Sequence, residues 1–384
     1  MRVLVLNAGS SSLKASVLEV GHDGSVSGAG VPLAATETAW GSDATRVVDR
    51  RATVEETLAA LWQAGVEPGA LVAAGHRVVH GGTRFVEPTR VDDGVLAEID
   101  ALSELAPLHN AVALDTLRAQ RSLLPTVPQV AVFDTAFHAS LTEQAYVYPL
   151  PWAWYQDWGI RRFGFHGLSV AWSLRRAAEL LSRAPTELCL IVAHLGSGCS
   201  VTAVQSGRSV STSMGLTPLE GLAMGTRSGS VDPGILLHVL RRMGLSADRL
   251  AEVLDHESGL LGISGISGDM RQLSAAAAGG SARARLAIDI FVRRASAGIG
   301  VAAASLPRID ALVFTGGIGE HAADVRAGIV ARLATLNLEP LAVSTGNGDA
   351  VLSTPHARIA VLRIEAREDI VIAEAAAGKR KRAG

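Results

Sequence analysis

Only two cysteines, Cys189 and Cys199, occur in 384 residues, so no disulfide framework staples this chain and a reducing compartment is the simpler setting. No apolar run approaches the ~20 residues that a membrane-spanning helix needs. Met1 and Arg2 lead straight into strand-like sequence, without the basic-then-apolar opening of a secretion signal. Charge is nearly balanced: the formal net charge is −2, which creates no field favouring nucleic acid or an anionic membrane. The basic run GKRKRAG at 378–384 reads as a solvated, frayed terminus. The expectation from these features is a cytoplasmic globular protein with no nucleic-acid or membrane partner. Hydrophobic residues make up 48% and charged ones 19%, and the length suggests two domains rather than one core.

Short β-branched runs predict strands at Val3–Leu6 and Ala15–Val20. Residues 53–64 (TVEETLAALWQA) have helical spacing, with Thr53 and Glu56 in capping-box positions. A strand and loop follow at 70–82, a helix at 92–106, and a strand ending in polar residues at 128–138. Residues 186–210 predict two strands around a glycine turn, and 310–334 a strand, a glycine loop and then a helix. The Ala/Gly-rich patch at 273–286 reads as a loop feeding a helix.

Two internal similarities suggest duplication. LVLNAGSSS (4–12) lies over IVAHLGSGC (191–199), and VAVFDTAFH (130–138) over ALVFTGGIG (311–319). The offsets, about 187 and 181 residues, are close to half the chain and occur in the same order. A duplicated α/β domain with a nucleotide in the cleft between its halves is the expectation.

If the chain is extended after Gly9, then Ser10, Ser12 and Lys14 project to one face. Two hydroxyls and an ammonium suit a phosphoryl group, although a serine-rich hairpin with an exposed lysine reads equally well. The stretch does not match the G-x-x-x-x-G-K-S/T phosphate loop, and no G-x-G-x-x-G follows the first strand. Alone, Arg77 could be one half of a structural ion pair, His166 a satisfied core histidine, and Asp134 the cap of a turn. The glycines of TGGIGE could be a tight connection or the opening of a helix whose amides face a phosphate. His80, His109 and His138 lack the spacing of a metal site.

Taken together, GHRVVHGG (75–82), APLHN (106–110), VFDTAFH (132–138), RRFGFHG (161–167), HLGSG (194–198), STSMGLTPLEGLAMGTRSG (211–229), GLLGISGISGDMR (259–271) and FTGGIGE (314–320) resemble the acetate kinases. The resemblance covers nearly the whole chain in order, and the 211–229 block is its most specific part. It implies a duplicated, ribonuclease H-like fold of the actin-like ATPase superfamily, with two α/β domains and the active site in the interdomain cleft. The first domain would hold 1–137 plus 370–384, and the second, nucleotide-binding domain 138–369.

The same resemblance implies a homodimer that transfers the γ-phosphoryl of ATP reversibly to acetate, giving acetyl phosphate and ADP, with Mg²⁺ or Mn²⁺. Such an enzyme feeds acetyl-CoA biosynthesis. Asn7 and Glu368 would form the metal pair, and Lys14, Ser10 and Ser12 would approach the phosphates. Arg77 and Arg227 would flank the transferring group, with Asp134 as the catalytic aspartate and His166 as a transition-state stabiliser. ATP contacts would come from His194, Leu195, Gly196, Ser197 and Gly198, from Asp269, Met270 and Arg271, and from Gly317, Ile318, Gly319, Glu320 and His321. Val79, Leu108, Phe165 and Pro218, beside Arg77, would line the pocket for the acyl group.

The chemistry suits these residue types. Bringing a phosphoryl group to a carboxylate joins two anions, which arginine forks, a lysine and Mg²⁺ can neutralise. Acetate is already ionised at neutral pH, its carboxyl pKa being roughly 4–5 like that of Asp or Glu. Asp134 is therefore expected to orient a cation, a water or an arginine rather than to remove a proton.

Several positions depart from the family pattern: Ser197 stands for Asn, Ser211 for Asp, and Leu168 and Val170 for polar residues. His321 closes GIGEH, and Arg367 precedes Glu368. They leave open two further readings: a kinase for propionate or butyrate, and a weakly active nucleotide-binding or sensing homologue.

Overall fold

Strand β1 (Arg2–Ala8) is buried from Val3 to Leu6 without alternation, as a strand covered on both faces must be. The computed structural model describes residues 1–9, 12–26, 30–40, 50–104, 106–341 and 346–380. β1 pairs antiparallel with β2 (Ser12–Glu19), with Asn7 opposite Lys14 and Ala8 opposite Leu13. β3 (Ala34–Ala39) extends the meander. β4 (Leu71–Val78) then lies parallel to β1, and β6 (Gln129–Phe133) parallel to β4. A two-residue edge strand, β5 (Thr89–Arg90), closes the sheet, whose order is β3-β2-β1-β4-β6-β5.

The second sheet repeats this plan. β7 (Cys189–Leu195), β8 (Cys199–Gln205) and β9 (Arg208–Thr212) form an antiparallel meander. β10 (Ala311–Thr315) is parallel to β7, and β12 (Ala360–Arg363) is parallel to β10. β11 (Ala350–Val351) is the antiparallel edge, so the order read from the far side is β9-β8-β7-β10-β12-β11. The duplication is thus explicit in topology. The chain forms two compact units, Met1–Ala139 with Arg367–Gly384, and Ser140–Ala366.

That topology corrects one of the two internal matches. β1 and β7 are equivalent, as the first match requires, but β10 occupies the place of β4, and β6 corresponds to β12. VAVFDTAFH and ALVFTGGIG are therefore not equivalent strands. Both are short, fully buried apolar runs, and their pattern alone cannot separate neighbouring central strands.

Helix Arg50–Gln63 packs Val54, Leu58 and Leu61 into the first core, together with Leu4, Leu6 and Leu13. It begins before Thr53, so the expected Thr53–Glu56 capping box does not form. Thr53 instead offers its carbonyl to the Thr57 hydroxyl inside the helix, at 2.6 Å. Helix Asp93–Ala101 is capped by Asp92, whose carboxylate accepts from Val95 N at 2.8 Å. Helix Glu368–Arg380 returns to the first unit and packs across β1, β4 and β6.

In the second unit, helices Gly167–Leu180 and Ala282–Ala303 flank the sheet. Residues 273–278, expected in a loop, complete helix Met270–Ala278, and only Gly279–Ser281 separate it from the next helix. The glycine loop expected after β10 is itself helical, Gly316–His321. Among the described residues no helix is long and apolar enough to cross a membrane.

Candidate active site

Parallel strands aim the residues at their C-terminal ends outward from the sheet, where open α/β sheets bind ligands. In the first unit those positions hold Asn7 on β1, Arg77 on β4 and Asp134 just after β6. Arg77 Nε donates to both carboxylate oxygens of Asp134, at 3.0 and 3.1 Å, and Nη2 donates to Oδ2 at 2.5 Å. Arg77 Nη1 reaches Asn7 Oδ1 at 3.1 Å, and Asn7 Nδ2 donates to Glu368 Oε2 at 3.1 Å. Glu368, the first residue of the returning helix, lies 3.7 Å from Arg77 Nε.

Asp134 is fully buried, and Arg77 is 16% exposed. Burial pulls the Arg77 guanidinium down, but the carboxylates of Asp134 and Glu368 outweigh it, and the net shift is upward. The guanidinium therefore stays charged, bonded on three nitrogens in a planar fork that a lysine could not replace. Four residues that are far apart in the sequence form one network.

Ser12 and Lys14 leave β2 on the same face, as alternation requires, and meet one acid across the sheet. Ser12 Oγ donates to Glu37 Oε1 at 2.6 Å, and Lys14 Nζ stands 3.8 Å from Glu37 Oε2. Ser10 lies outside the described residues, as does the side chain of Leu108 in helix Pro107–Leu123. Val79, two residues after Arg77, is buried at 4% exposure.

In the second unit His166 precedes helix Gly167–Leu180 with φ 59°, a left-handed conformation that costs a non-glycine residue free energy and recurs at functional sites. Its ring stacks on that of His194, with centroids 4.1 Å apart. Ser200 Oγ sits 3.0 Å from His166 Nδ1, and Ser169 Oγ sits 2.8 Å from His194 Nδ1. Gly198 marks where the two side chains converge: a Cβ there would lie 3.3 Å from both Arg227 Nη2 and His166 Nε2. Arg227 Nη1 donates to the Pro218 carbonyl at 2.7 Å. Phe165 is buried beside His166, and Pro218 is half-buried.

The remaining expected nucleotide contacts are distributed around the β7–β8 turn. The Ser197 carbonyl accepts from Gly225 N at 3.1 Å, and Gly225 in turn lies against Gly268, which precedes Asp269. Asp269 caps helix Met270–Ala278 through Arg271 N at 2.8 Å and pairs with the Arg271 guanidinium at 2.6 Å, which holds its carboxyl below the ordinary range. Met270 is buried. Helix Gly316–His321 carries Gly317, Ile318 and Gly319. Its C-terminal carbonyls at Gly319 and Glu320 accept from buried Arg326, at 2.9 and 2.8 Å. Glu320 Oε1 accepts from Ala366 N at 3.0 Å, and burial raises its carboxyl.

Four of the departures can be placed in the structure. The Arg367 guanidinium is committed to Asp369, with two bonds at 2.9 Å, and to the Gly30 carbonyl. Leu168 and Val170 are simply buried in the second unit. His321 is 64% exposed, 4.0 Å from Glu320.

Three side chains that support these groups carry no signature of their own in the sequence motifs: Glu37, Ser169 and Ser200. Ser200 was within reach of pattern reading, since it alternates with Cys199 at the start of β8. Glu37 was not, because nothing local says that β3 pairs with β2.

The first-unit network thus holds a fixed guanidinium beside two oxygen donors. The second unit sets two histidines and an arginine around a glycine turn. In each unit a guanidinium held this way can neutralise an anion, and such charge neutralisation is what phosphoryl transfer demands. A family model described as "Acetokinase family" matches residues 2–374. The chain is 44% identical to an acetate kinase of Gloeobacter violaceus over 397 residues, covering 97% of this chain and 98% of the relative. Among solved structures it is similar to Porphyromonas gingivalis acetate kinase, with a TM-score of 0.85, 33% identity and 98% of each chain covered. It is similar also to a propionate kinase from Francisella tularensis, with a TM-score of 0.86, 35% identity, and 97% and 98% of the two chains covered. Matched from end to end in sequence and in structure, the chain belongs to the acetokinase family.

Proposed function

We propose that this chain is an ATP:acetate phosphotransferase that forms acetyl phosphate and ADP reversibly by direct in-line transfer. The observation that supports this reading best is the Arg77–Asp134–Asn7–Glu368 network, in a chain of this family. Arg77 and Arg227 are assigned to the transferring group, Asp134 to holding Arg77, and His166 to charge that builds up in the transition state. Lys14 and Ser12 are assigned to the phosphates, which would take over from Glu37 as their partner. Stretches 194–198, 269–271 and 317–321 are assigned to ATP, and Val79, Phe165 and Pro218 to the acyl group.

Asn7 and Glu368 suit a hard divalent cation. Both carry side-chain oxygens: Asn7 Oδ1 already accepts from Arg77 Nη1 and keeps one lone pair, and Glu368 Oε1 is engaged by no described residue. Mg²⁺ typically binds through one or two such oxygens together with substrate phosphates, and it would neutralise charge on the nucleotide. A homodimer in the cytoplasm accompanies this reading, in keeping with two cysteines that are both free and buried.

A second reading, propionate as the acceptor, is favoured by one specific observation, the likeness to the Francisella propionate kinase. Acetate-dependent release of ADP from MgATP, followed in a coupled assay, tests the first reading. ADP release with acetate that chelation by EDTA abolishes supports it, and nucleotide binding without acceptor-dependent turnover contradicts it.

A further inference from the structure

The segment 213–220 between β9 and Arg227 has no regular secondary structure, yet its Pro218 carbonyl fixes one nitrogen of the Arg227 guanidinium. Ser213 ties its start to Val201, and one carboxylate gathers the rest. Glu220 Oε1 accepts from Arg162 Nη2 at 2.7 Å, and Oε2 accepts from the Tyr148 hydroxyl. Arg162 Nη1 continues to the carbonyls of Ser213 and Met214, at 3.1 and 2.8 Å. The Tyr148 hydroxyl also accepts from Leu216 N at 3.1 Å. Gly215 is enclosed by this cluster: a Cβ there would fall 1.9 Å from Glu220 Oε2 and 2.2 Å from the Tyr148 oxygen.

The same cluster reaches toward His166. Phe163 N and Gly164 N donate to the Gly215 carbonyl at 3.0 and 3.3 Å, immediately upstream of Phe165 and His166. Burial raises the Tyr148 phenol, Arg162 opposes the rise and Glu220 adds to it, so the hydroxyl remains a donor. Glu220 therefore stands between the arm that carries His166 and the carbonyl that holds Arg227.

We propose that Glu220 is a positioning residue that sets the placement of the Arg227 guanidinium through Arg162, Tyr148 and the Pro218 carbonyl. The inference rests on the assignment of Arg227 to the transferring group. A charged donor misplaced by about 1 Å can cost on the order of a hundredfold in rate, so a loosened segment lowers turnover without removing a substrate contact.

The test is a double-mutant cycle in full-length protein: Glu220→Ala, Glu220→Gln, Arg227→Ala and the Glu220→Ala/Arg227→Ala pair, each with kcat and both KM values. Glu220→Ala should lower kcat about tenfold or more with KM for ATP and acetate within about twofold. Glu220→Gln, which keeps an acceptor oxygen, should recover part of that loss. The double variant should fall within about twofold of Arg227→Ala alone, because Glu220 acts through Arg227. An unchanged kcat in Glu220→Ala, a loss confined to KM, or an equal further loss on top of Arg227→Ala overturns the proposal. Full activity of Arg227→Ala overturns the underlying assignment, and the proposal with it. If Glu220→Ala does not fold, Tyr148→Phe, which removes only the hydroxyl, takes its place in the cycle with the same criteria.

Discussion

Arg77 grips Asp134 through two nitrogens, with Nη2 2.5 Å from Oδ2, while Asp134 itself is wholly buried. A carboxylate so engaged has no free path to a substrate proton. Asp134→Asn keeps the shape but removes the charge that fixes Arg77, and should lower kcat by about tenfold to a hundredfold. The acidic limb of the pH–rate profile should stay where it is. A limb that disappears in the variant means that Asp134 titrates as a base.

Val79, two residues after Arg77, is buried, and its two methyl groups are assigned to the acyl pocket. One methylene changes selectivity by ~1–3 kcal/mol. Val79→Ala should therefore raise kcat/KM for propionate relative to acetate by about fivefold or more. An unchanged ratio removes Val79 from the pocket.

Ser197 occupies the tip of the β7–β8 turn, exposed, with a hydroxyl that bonds to no described residue. Ser197→Asn adds a longer group that both donates and accepts. One recovered phosphate contact is worth about 1 kcal/mol, so KM for ATP should fall about fivefold. A KM that is unchanged or raised places this turn away from the phosphates.

His76, beside Arg77 on β4, is buried and bonded to Gln120 Oε1 at 3.1 Å. Burial lowers its pKa from 6.5 to about 4, with the Gln120 bond opposing. The unfolded chain then binds the extra proton first, so the stabilisation is complete above pH 6.5 and declines as pH falls toward 4. The full loss is on the order of 3 kcal/mol. Urea unfolding at pH 7 and pH 4.5 should show a decline that His76→Gln largely removes. Equal declines in the two proteins assign the acid sensitivity elsewhere.

Much of this fold could be read from residue patterns, because its strands are long apolar runs that end in distinctive turns. The β1–β2 hairpin and its β7–β8 twin follow from that pattern, as does the shared face of Ser12 and Lys14. Pairing between distant strands could not be read in this way. β6 and β10 look alike as sequences, and only the sheet order shows that β4 is the equivalent of β10. Local rules also gave way to context where Thr53 fell inside a helix that starts at Arg50. The site residues were visible as types, but their partners were not. Nothing near Arg77 in the chain announces Asn7, Asp134 or Glu368, and nothing near Arg227 announces Glu220.

The proposed reaction is short-chain carboxylate phosphorylation with acetate as the preferred acceptor. Its most direct test is hydroxylamine trapping of the acyl phosphate, with MgATP and acetate, propionate or butyrate in parallel. Hydroxamate from all competent acids, with the highest kcat/KM for acetate, is the predicted result. A protein that binds MgATP but yields no hydroxamate from any of the three contradicts the account.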